Sequence, residues 1–335
     1  MDMLDTKVAK LGAQQFSTTT KLRGEAIFGL AAASDGVTGA NGALNASVTG
    51  QDRTNTVFSY RVRINLDTSF TGKDLLRTRL QSNNTPNLSD VLGVANASRL
   101  SYESGTANNT FEINRLYYKF PISDTGIAYI APIGQVEDIL NPLNPLESDS
   151  QGTISRFGRF SPLIRIASGG GTTGLAVAGF DWKISDKVNF QTAYSASNAA
   201  VASDKGGLTG GDTKIAAQFV LKPADNLTFG VGYANAYNAS GSLGAGLNSD
   251  SIPTPFAVVS TSFKSNTIVG SIISDITKQF TFNAWGSWTF IDGFDGAGRT
   301  LASTTNTSWL AAISGKDLFR EGDLGAISFG QPLFT

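Results

Sequence analysis

Cationic side chains recur at even spacing in four segments of the N-terminal part of the chain. In an extended strand, residues separated by an even number of positions point to the same face. Such residues on neighbouring strands would form a basic wall, able to attract anions and to orient polar solutes in nearby water. The eight residues of this basic wall are Lys21, Arg23, Arg61, Arg63, Arg77, Arg79, Arg115 and Lys119.

A second charged group lies in one long segment, residues 132–173. Prolines 142 and 145 stiffen its backbone, and a loop of this length in a compact protein is either functional or disordered. We predict a constriction loop that folds inward and faces the basic wall, so that opposed charges filter solutes by size and charge. Ion pairs that merely hold the loop in place would use the same residues. The acids are Glu137, Asp138, Glu147 and Asp149, and the bases are Arg156, Arg159 and Arg165.

Other kinds of chemistry are largely excluded by composition. The sequence contains no histidine and no cysteine, which excludes Ser-His and Cys-His catalysis, histidine-bound zinc and histidine-ligated haem. The net charge of −1 gives no basic excess for nucleic-acid binding. An Asp/Glu glycosidase or a carboxylate calcium site would survive this filter. No motif builds an iron site, because the carboxylates are not at ligand-like spacing and imidazole is absent. We therefore predict no catalytic residue, no metal site and no cofactor.

The segments that carry the basic pairs alternate between apolar and polar residues. In Phe58–Asp67, five apolar residues share one face and five polar residues share the other. This period of two predicts a β-strand with one apolar and one polar surface. About thirteen such strands can be recognised, from Lys21–Leu30 to Asp323–Gly330. Several are ten residues or longer, which exceeds the usual length of strands in soluble proteins.

The connections between these strands alternate between long loops and tight turns. Residues 32–55, 82–109 and 132–173 are long, whereas 71–74 and 123–125 are short. Outer-membrane barrels show this rhythm, with turns on the periplasmic side and loops outside. Only 16% of the residues are charged, and no run approaches the ~20 apolar residues of a spanning helix. The sequence thus predicts an all-β fold, a transmembrane antiparallel β-barrel.

Aromatic residues near strand ends on the apolar face predict girdles at the two membrane–water boundaries. A soluble β-sandwich that binds carbohydrate would instead bury its apolar face, and period-two alternation alone does not exclude it. The predicted girdle residues are Tyr118, Phe120, Phe180, Trp182, Tyr233, Trp288 and Phe290.

The first fifteen residues differ in pattern from the rest. Leu4, Val8 and Leu11 form a short helical stripe. This predicts a short N-terminal helix, either the end of a periplasmic coiled-coil linker or a frayed amphipathic turn. The chain would then divide into a linker over residues 1–15 and a barrel over residues 16–335.

Three stretches resemble a known family. They are Gln15–Glu25, Tyr60–Gln81, and Leu140-Asn141-Pro142 followed by Ser155-Arg156-Phe157-Gly158. They are similar to cyanobacterial outer-membrane porins with an S-layer-homology domain, which are often catalogued as iron-uptake porins and are related to carbohydrate-selective porins. The resemblance implies a signal peptide, a wall-binding periplasmic domain and a barrel of about 16 strands. About three strands would then be absent from this chain.

The resemblance also implies a homotrimer in outer-membrane lipid, attached to peptidoglycan or another cell-wall polymer through an N-terminal domain. We expect a multi-pass porin of a Gram-negative, cyanobacterial outer membrane and not an enzyme. Small hydrophilic solutes and inorganic ions, with iron implied only by the family label, would diffuse passively through its water-filled pore. The alternatives are a structural anchor between outer membrane and cell wall, and a plugged, energised receptor.

Overall fold

The computed structural model describes residues 20–34, 53–92, 99–103, 109–148, 152–167, 174–239, 243–244 and 261–334. The helix predicted for residues 1–15 lies outside these ranges. The described residues form thirteen β-strands, and each strand is antiparallel to the next in the chain. The strands are β1 (Thr20–Ala31), β2 (Val57–Thr68), β3 (Leu75–Asn83), β4 (Glu112–Pro121), β5 (Gly126–Ile133), β6 (Leu175–Ser185), β7 (Val188–Ser197), β8 (Thr213–Ala224), β9 (Leu227–Asn238), β10 (Ser262–Asp275), β11 (Phe280–Phe294), β12 (Thr300–Lys316) and β13 (Leu324–Phe334).

Helical structure is sparse in the described residues. Three short α-helices are present, α1 (Leu88–Leu92), α2 (Pro162–Arg165) and α3 (Gly207–Gly210), and a 3₁₀ turn spans Val136–Asp138. None of the described helices has the length and apolar character needed to cross a membrane. The prediction of an all-β antiparallel fold with thirteen readable strands is confirmed. Within the described residues the sheet runs in one row from β1 to β13 without a pairing between these two strands.

Strand register places apolar residues of neighbouring strands side by side. In the β1–β2 pair, Leu22 lies opposite Leu66 and Phe28 opposite Tyr60. This face is open to the surroundings, because Leu22 is 70% exposed and Phe28 is 74% exposed. The same holds on β11, where Trp288 is 53% exposed. Exposed apolar side chains along a whole sheet face are typical of contact with lipid.

The opposite, inner face is covered by part of the chain itself. We call residues 134–148 and 152–167 the inward segment. It follows β5 and precedes β6 in the sequence, and it packs on this inner face. Val136, Leu140, Phe160 and Ile164 of the segment are buried in one cluster with inner-face side chains of the strands. These strand residues are Tyr117, Tyr129, Ala131, Leu175, Val177, Ala193, Ala216, Ala234, Val269, Trp285, Leu310 and Ala312.

Two glycines on β9 make room for the inward segment. A Cβ on Gly230 would overlap Leu143, and a Cβ on Gly232 would overlap Leu163. Larger residues at these positions would force the segment away from the sheet. The two glycines are therefore packing sites for the segment.

A single carboxylate organises the turn between β2 and β3. Asp74 accepts hydrogen bonds from the backbone amides of Phe70 and Thr71, from the Ser69 and Thr71 hydroxyls, and at 2.7 Å from Tyr118 Oη. Burial by itself raises the pKa of Asp74, but these hydrogen bonds outweigh it and hold the pKa below the usual value. The carboxylate therefore stays ionised, and the turn keeps its hydrogen bonds, well into the acidic range.

Candidate pore interior

Residues of two connections meet inside the sheet. The inward segment pairs with residues 99–103 of the β3–β4 connection through an isolated bridge between Leu100 and Ser155. Ser101 N donates to Ile154 O at 2.7 Å, and Tyr102 lies against Gly29 on the inner face of β1. The sequence indicated only that this second connection is long. In the structure its Leu88 and Leu92 are buried.

Four cations of the basic wall, Arg23, Arg61, Arg77 and Arg115, form ion pairs with described acidic residues. Arg61 Nη2 lies 2.9 Å from Glu25 Oε1 on the adjacent strand, and Arg61 is 1% exposed. Arg77 Nε lies 2.6 Å from Asp67 Oδ1 in a bidentate contact. Arg115 instead forms ion pairs with acidic residues of the inward segment. Much of the positive charge that the sequence placed on this wall is thus locally neutralised.

The acids of the 3₁₀ turn meet the basic wall. Asp138 Oδ2 lies 3.1 Å from Arg115 Nε and accepts hydrogen bonds from Tyr129 Oη and from the Gln135 amide, each at 2.9 Å. Glu137 Oε1 lies 3.7 Å from Arg115 Nη2. These contacts tie the start of the inward segment to β4 and β5.

The other acids of the constriction-loop prediction are placed differently. Glu147 Oε1 lies 3.4 Å from Arg159 Nη2, within the inward segment itself. Arg159 Nε also donates to the Glu147 carbonyl at 3.0 Å. Asp149 lies outside the described residues. Glu137 and Asp138 therefore contact the basic wall, whereas Glu147 forms an ion pair within the inward segment.

The remaining wall cations have other surroundings. Arg63 Nε donates to Gln81 Oε1 at 2.6 Å, and Arg79 Nε donates to Asn65 Oδ1 at 2.7 Å. Lys119 Nζ lies over two buried tyrosine rings, 5.5 Å from the Tyr117 centroid and 5.7 Å from the Tyr129 centroid. Lys21 and Arg23 are exposed, and Arg23 Nε is 3.9 Å from Asp67.

The bases of the inward segment lie close together. Arg159 Cζ and Arg165 Cζ are each 4.5 Å from the centroid of the Phe160 ring. Arg156 is close enough to Arg165 to repel its charge, and the Arg156 amide donates to the Arg99 carbonyl at 3.1 Å. A cluster of guanidinium groups thus forms within the segment, in addition to the basic wall on the strands.

On the side away from the basic wall, side-chain amides of the strands form hydrogen bonds with the inward segment. The Asn141 amide donates to Gln191 Oε1 at 2.9 Å, and Gln218 Nε2 donates to the Asn141 carbonyl at 2.7 Å. Asn283 Nδ2 donates to Asn144 Oδ1 at 3.2 Å. The polar residues of the second half of the sheet thus bind the segment, while the basic strands bind its 3₁₀ turn.

The predicted girdle residues all face outward, with Trp182 45% and Tyr233 47% exposed. Tyr118 and Phe120 stack with ring centroids 5.1 Å apart. The prediction that these residues lie near strand ends is wrong for three of them, because Phe180 lies in the middle of β6, Tyr233 in the middle of β9 and Trp288 in the middle of β11. The register aligns Tyr233 with Ile268, and Ile268 with Trp288. Since barrel strands are tilted, such a row does not follow one membrane depth.

Comparison with known proteins decides the family. A family model described as carbohydrate-selective porin, OprB family, matches residues 1–333. The chain belongs to this family. It is thus a porin-family protein with a porin-type β-fold, and the predicted relation to carbohydrate-selective porins is confirmed. The described residues of this porin contain no group of three or more acidic residues placed to hold a metal ion.

Curated relatives and a solved structure agree with this assignment. An uncharacterized protein of Synechocystis sp. is 33% identical over 99% of this chain and 61% of its own length. Another, of Nostoc sp., is 34% identical over 72% of this chain and 42% of its own length. The chain therefore spans about three-fifths of the length of the first of these relatives. The Pseudomonas putida OprB structure, solved at high pH, is similar in fold, with a TM-score of 0.54, 13% identity, and coverage of 98% of this chain and 77% of that one.

One lysine that was not among the predicted site residues holds the inward segment of the porin in place through hydrogen bonds. Lys214 on β8 is 1% exposed, and its Nζ donates to the carbonyls of Ile164 and Ile166 at 2.7 Å each. These carbonyls lie at the end of α2. The signal in the sequence was a cation within the alternating part of β8, whose other cation, Lys222, lies near the end of the strand.

Replacing Lys214 by Met is expected to loosen the end of the inward segment. Two buried carbonyls would lose a charged donor, at a cost of about 1.5–3 kcal/mol in local stability. Hydrogen exchange of the amides in residues 163–167 should accelerate, and open-channel current noise should rise. The control Lys222→Met, at an exposed position on the same strand, should change neither. Unchanged exchange in Lys214→Met would show that other contacts fix the segment.

Proposed function

We propose that this chain forms a water-filled outer-membrane channel through which small hydrophilic solutes and inorganic ions diffuse passively. One observation carries the proposal: the apolar face of the sheet is exposed, and the inward segment packs on the opposite face, which bears the charged residues. An exposed apolar face fits lipid, and an enclosed polar face fits a solvated pore. Membership of a porin family supports the same function.

Reconstitution in planar bilayers tests the proposal. A channel of this kind gives discrete, ohmic conductance steps without an energy source. Absence of steps from protein that has folded into the bilayer would favour a structural anchor or a receptor. Correct folding is checked beforehand by the heat-dependent shift in electrophoretic mobility that is typical of outer-membrane barrels.

The inward segment is proposed to be the constriction. Its support is the apolar cluster that it forms on the inner face and its ion pairs with Arg115. Asp138 and Glu137 oppose β4 across this narrow region, so both roles considered for the charges are compatible with their positions. The pairing of Arg61 with Glu25 and of Arg77 with Asp67 favours a structural role for those two cations.

Ion selectivity is proposed to depend on the exposed cations of the basic wall. Exchange of both Lys21 and Arg23 for Ser should shift the reversal potential in a KCl gradient toward cation preference, by on the order of a few millivolts because salt screens exposed charges. Lys278→Ser, in the turn between β10 and β11, removes an exposed cation outside the pore and should have no effect. An unchanged reversal potential in the double variant would assign selectivity to the inward segment.

Assembly and attachment are proposed on the resemblance stated above. They comprise a homotrimer in outer-membrane lipid, a helical linker in residues 1–15, and anchorage to peptidoglycan or another wall polymer. The proposal that iron is a transported solute also rests on this resemblance alone. Crosslinking in native membranes would detect the trimer, and metal-free and iron-loaded uptake assays would test the solute.

A further inference from the structure

Arg165 is the most unusual buried charge among the described residues. Its side chain lies within the inward segment at the end of α2 and is only 6% exposed. Nε and Nη2 of its guanidinium have no hydrogen-bond partner among the described residues. Leaving charged donors buried without acceptors is costly, so such groups in folded proteins bind a counter-ion, an acceptor or ordered water.

The two unpartnered nitrogens form one edge of the guanidinium. The Nε and Nη2 hydrogens on this edge are parallel, and their spacing matches two oxygens of a carboxylate or phosphate. Phe160 supports the plane of the group, with the Arg165 Cζ 4.5 Å from its ring centroid. The ring thus helps to fix the orientation of the guanidinium.

The surroundings of this edge are positively charged. Arg159 stacks on the same ring, and Arg156 and Arg99 also repel the charge of Arg165, while Glu137 attracts it. Lys214 Nζ donates hydrogen bonds to the carbonyls of Ile164 and Ile166, the residues on either side of Arg165. Burial, together with Arg156 and Arg159, lowers the pKa of Arg165 well below its usual value. A bound anion would offset both the desolvation and the repulsion.

We propose that the Nε–Nη2 edge of Arg165 is a binding site for a small oxyanion, an inorganic phosphate or a simple carboxylate, inside the channel. The inference rests on the proposed function for its role, because a site at the constriction would favour entry of such anions. Weak, saturable binding in a pore raises the local concentration of the solute and still permits its release.

Binding is measured directly on folded protein in detergent, by calorimetric titration with inorganic phosphate and, separately, with acetate. Wild-type protein should bind at least one of them saturably. Arg165→Lys keeps the charge but loses the two parallel donors, and we expect it to bind at least about tenfold more weakly, as does Arg165→Gln. Arg320→Gln removes an exposed arginine in the β12–β13 turn and should retain wild-type affinity.

The outcomes separate this inference from the proposed function. Saturable binding by wild type that is lost in Arg165→Lys supports the site, and the tighter of the two probes identifies the oxyanion class. Absence of binding by folded wild type, or full affinity in Arg165→Lys, overturns the site. Ohmic channels without anion binding would leave the porin function intact, whereas anion binding by a protein that forms no channel would remove the function and keep the site.

Discussion

Deleting residues 140–148 and joining the ends with a short Gly-Ser linker is expected to raise single-channel conductance several-fold. Current through a porin is limited by its narrowest aqueous cross-section, so removal of material at that point has a large effect. The deleted stretch carries Leu140, Leu143 and Leu146, all buried within the sheet. Conductance in symmetric KCl, recorded for many single insertions, gives the measurement.

The control for this deletion is a shortened turn outside the interior. Removing Gly296, Ala297 and Gly298 from the exposed turn after β11 should leave conductance unchanged, since a Cβ on either glycine would contact nothing. The hydrogen bonds of Gln191 and Gln218 to Asn141 would be lost in the loop deletion, so folding is verified before recording. A folded deletion variant with wild-type conductance would place the constriction elsewhere.

Alternation in the sequence was sufficient to place the strands but not always their ends. Residues 58–67 were predicted for β2, and the structure has Val57–Thr68. By contrast, β12 begins at Thr300, although alternation between apolar and polar residues is clear only from about Thr307 onward. The added stretch contains Ser303, Thr304 and Thr305, which have no apolar face. A strand that continues beyond the apolar region keeps its backbone hydrogen bonds but loses the hydrophobic pattern.

The interior was predicted only where charges occupy paired strands. Asp67 and Arg77 lie directly opposite in the β2–β3 register, so their contact follows from strand positions alone. The contact of Lys214 with the Ile164 carbonyl joins residues 50 apart through a backbone acceptor, which leaves no signal in residue types. The same applies to Arg61 and the Tyr102 carbonyl, 3.2 Å apart. Long-range contacts to loop backbone depend on how the loop folds, and its local sequence does not specify this.

Replacing Gly270 by Arg is expected to destabilise the membrane-embedded protein by about 2–4 kcal/mol, the cost of a cation facing lipid near the bilayer midplane. Gly270 lies on the outward face of β10 between Ile268, which is exposed, and Ile272, which is half-buried, and a Cβ there would contact nothing. Steric strain therefore does not contribute, and Gly270→Leu serves as the matched control. Denaturant unfolding in lipid vesicles, followed by tryptophan fluorescence, measures the free energy of unfolding.

Comparison of Gly270→Arg with Ser271→Arg tests which face of the sheet contacts lipid. Ser271 is on the inner face, so Ser271→Arg should cost much less than Gly270→Arg although both add the same charge at nearly the same depth. Gly270→Leu should be neutral or stabilising in lipid, because it adds apolar surface facing hydrocarbon. If Gly270→Arg were as stable as Gly270→Leu, the apolar face would not contact lipid. The polar face could then no longer be assigned to a pore, because the two faces of each strand alternate strictly.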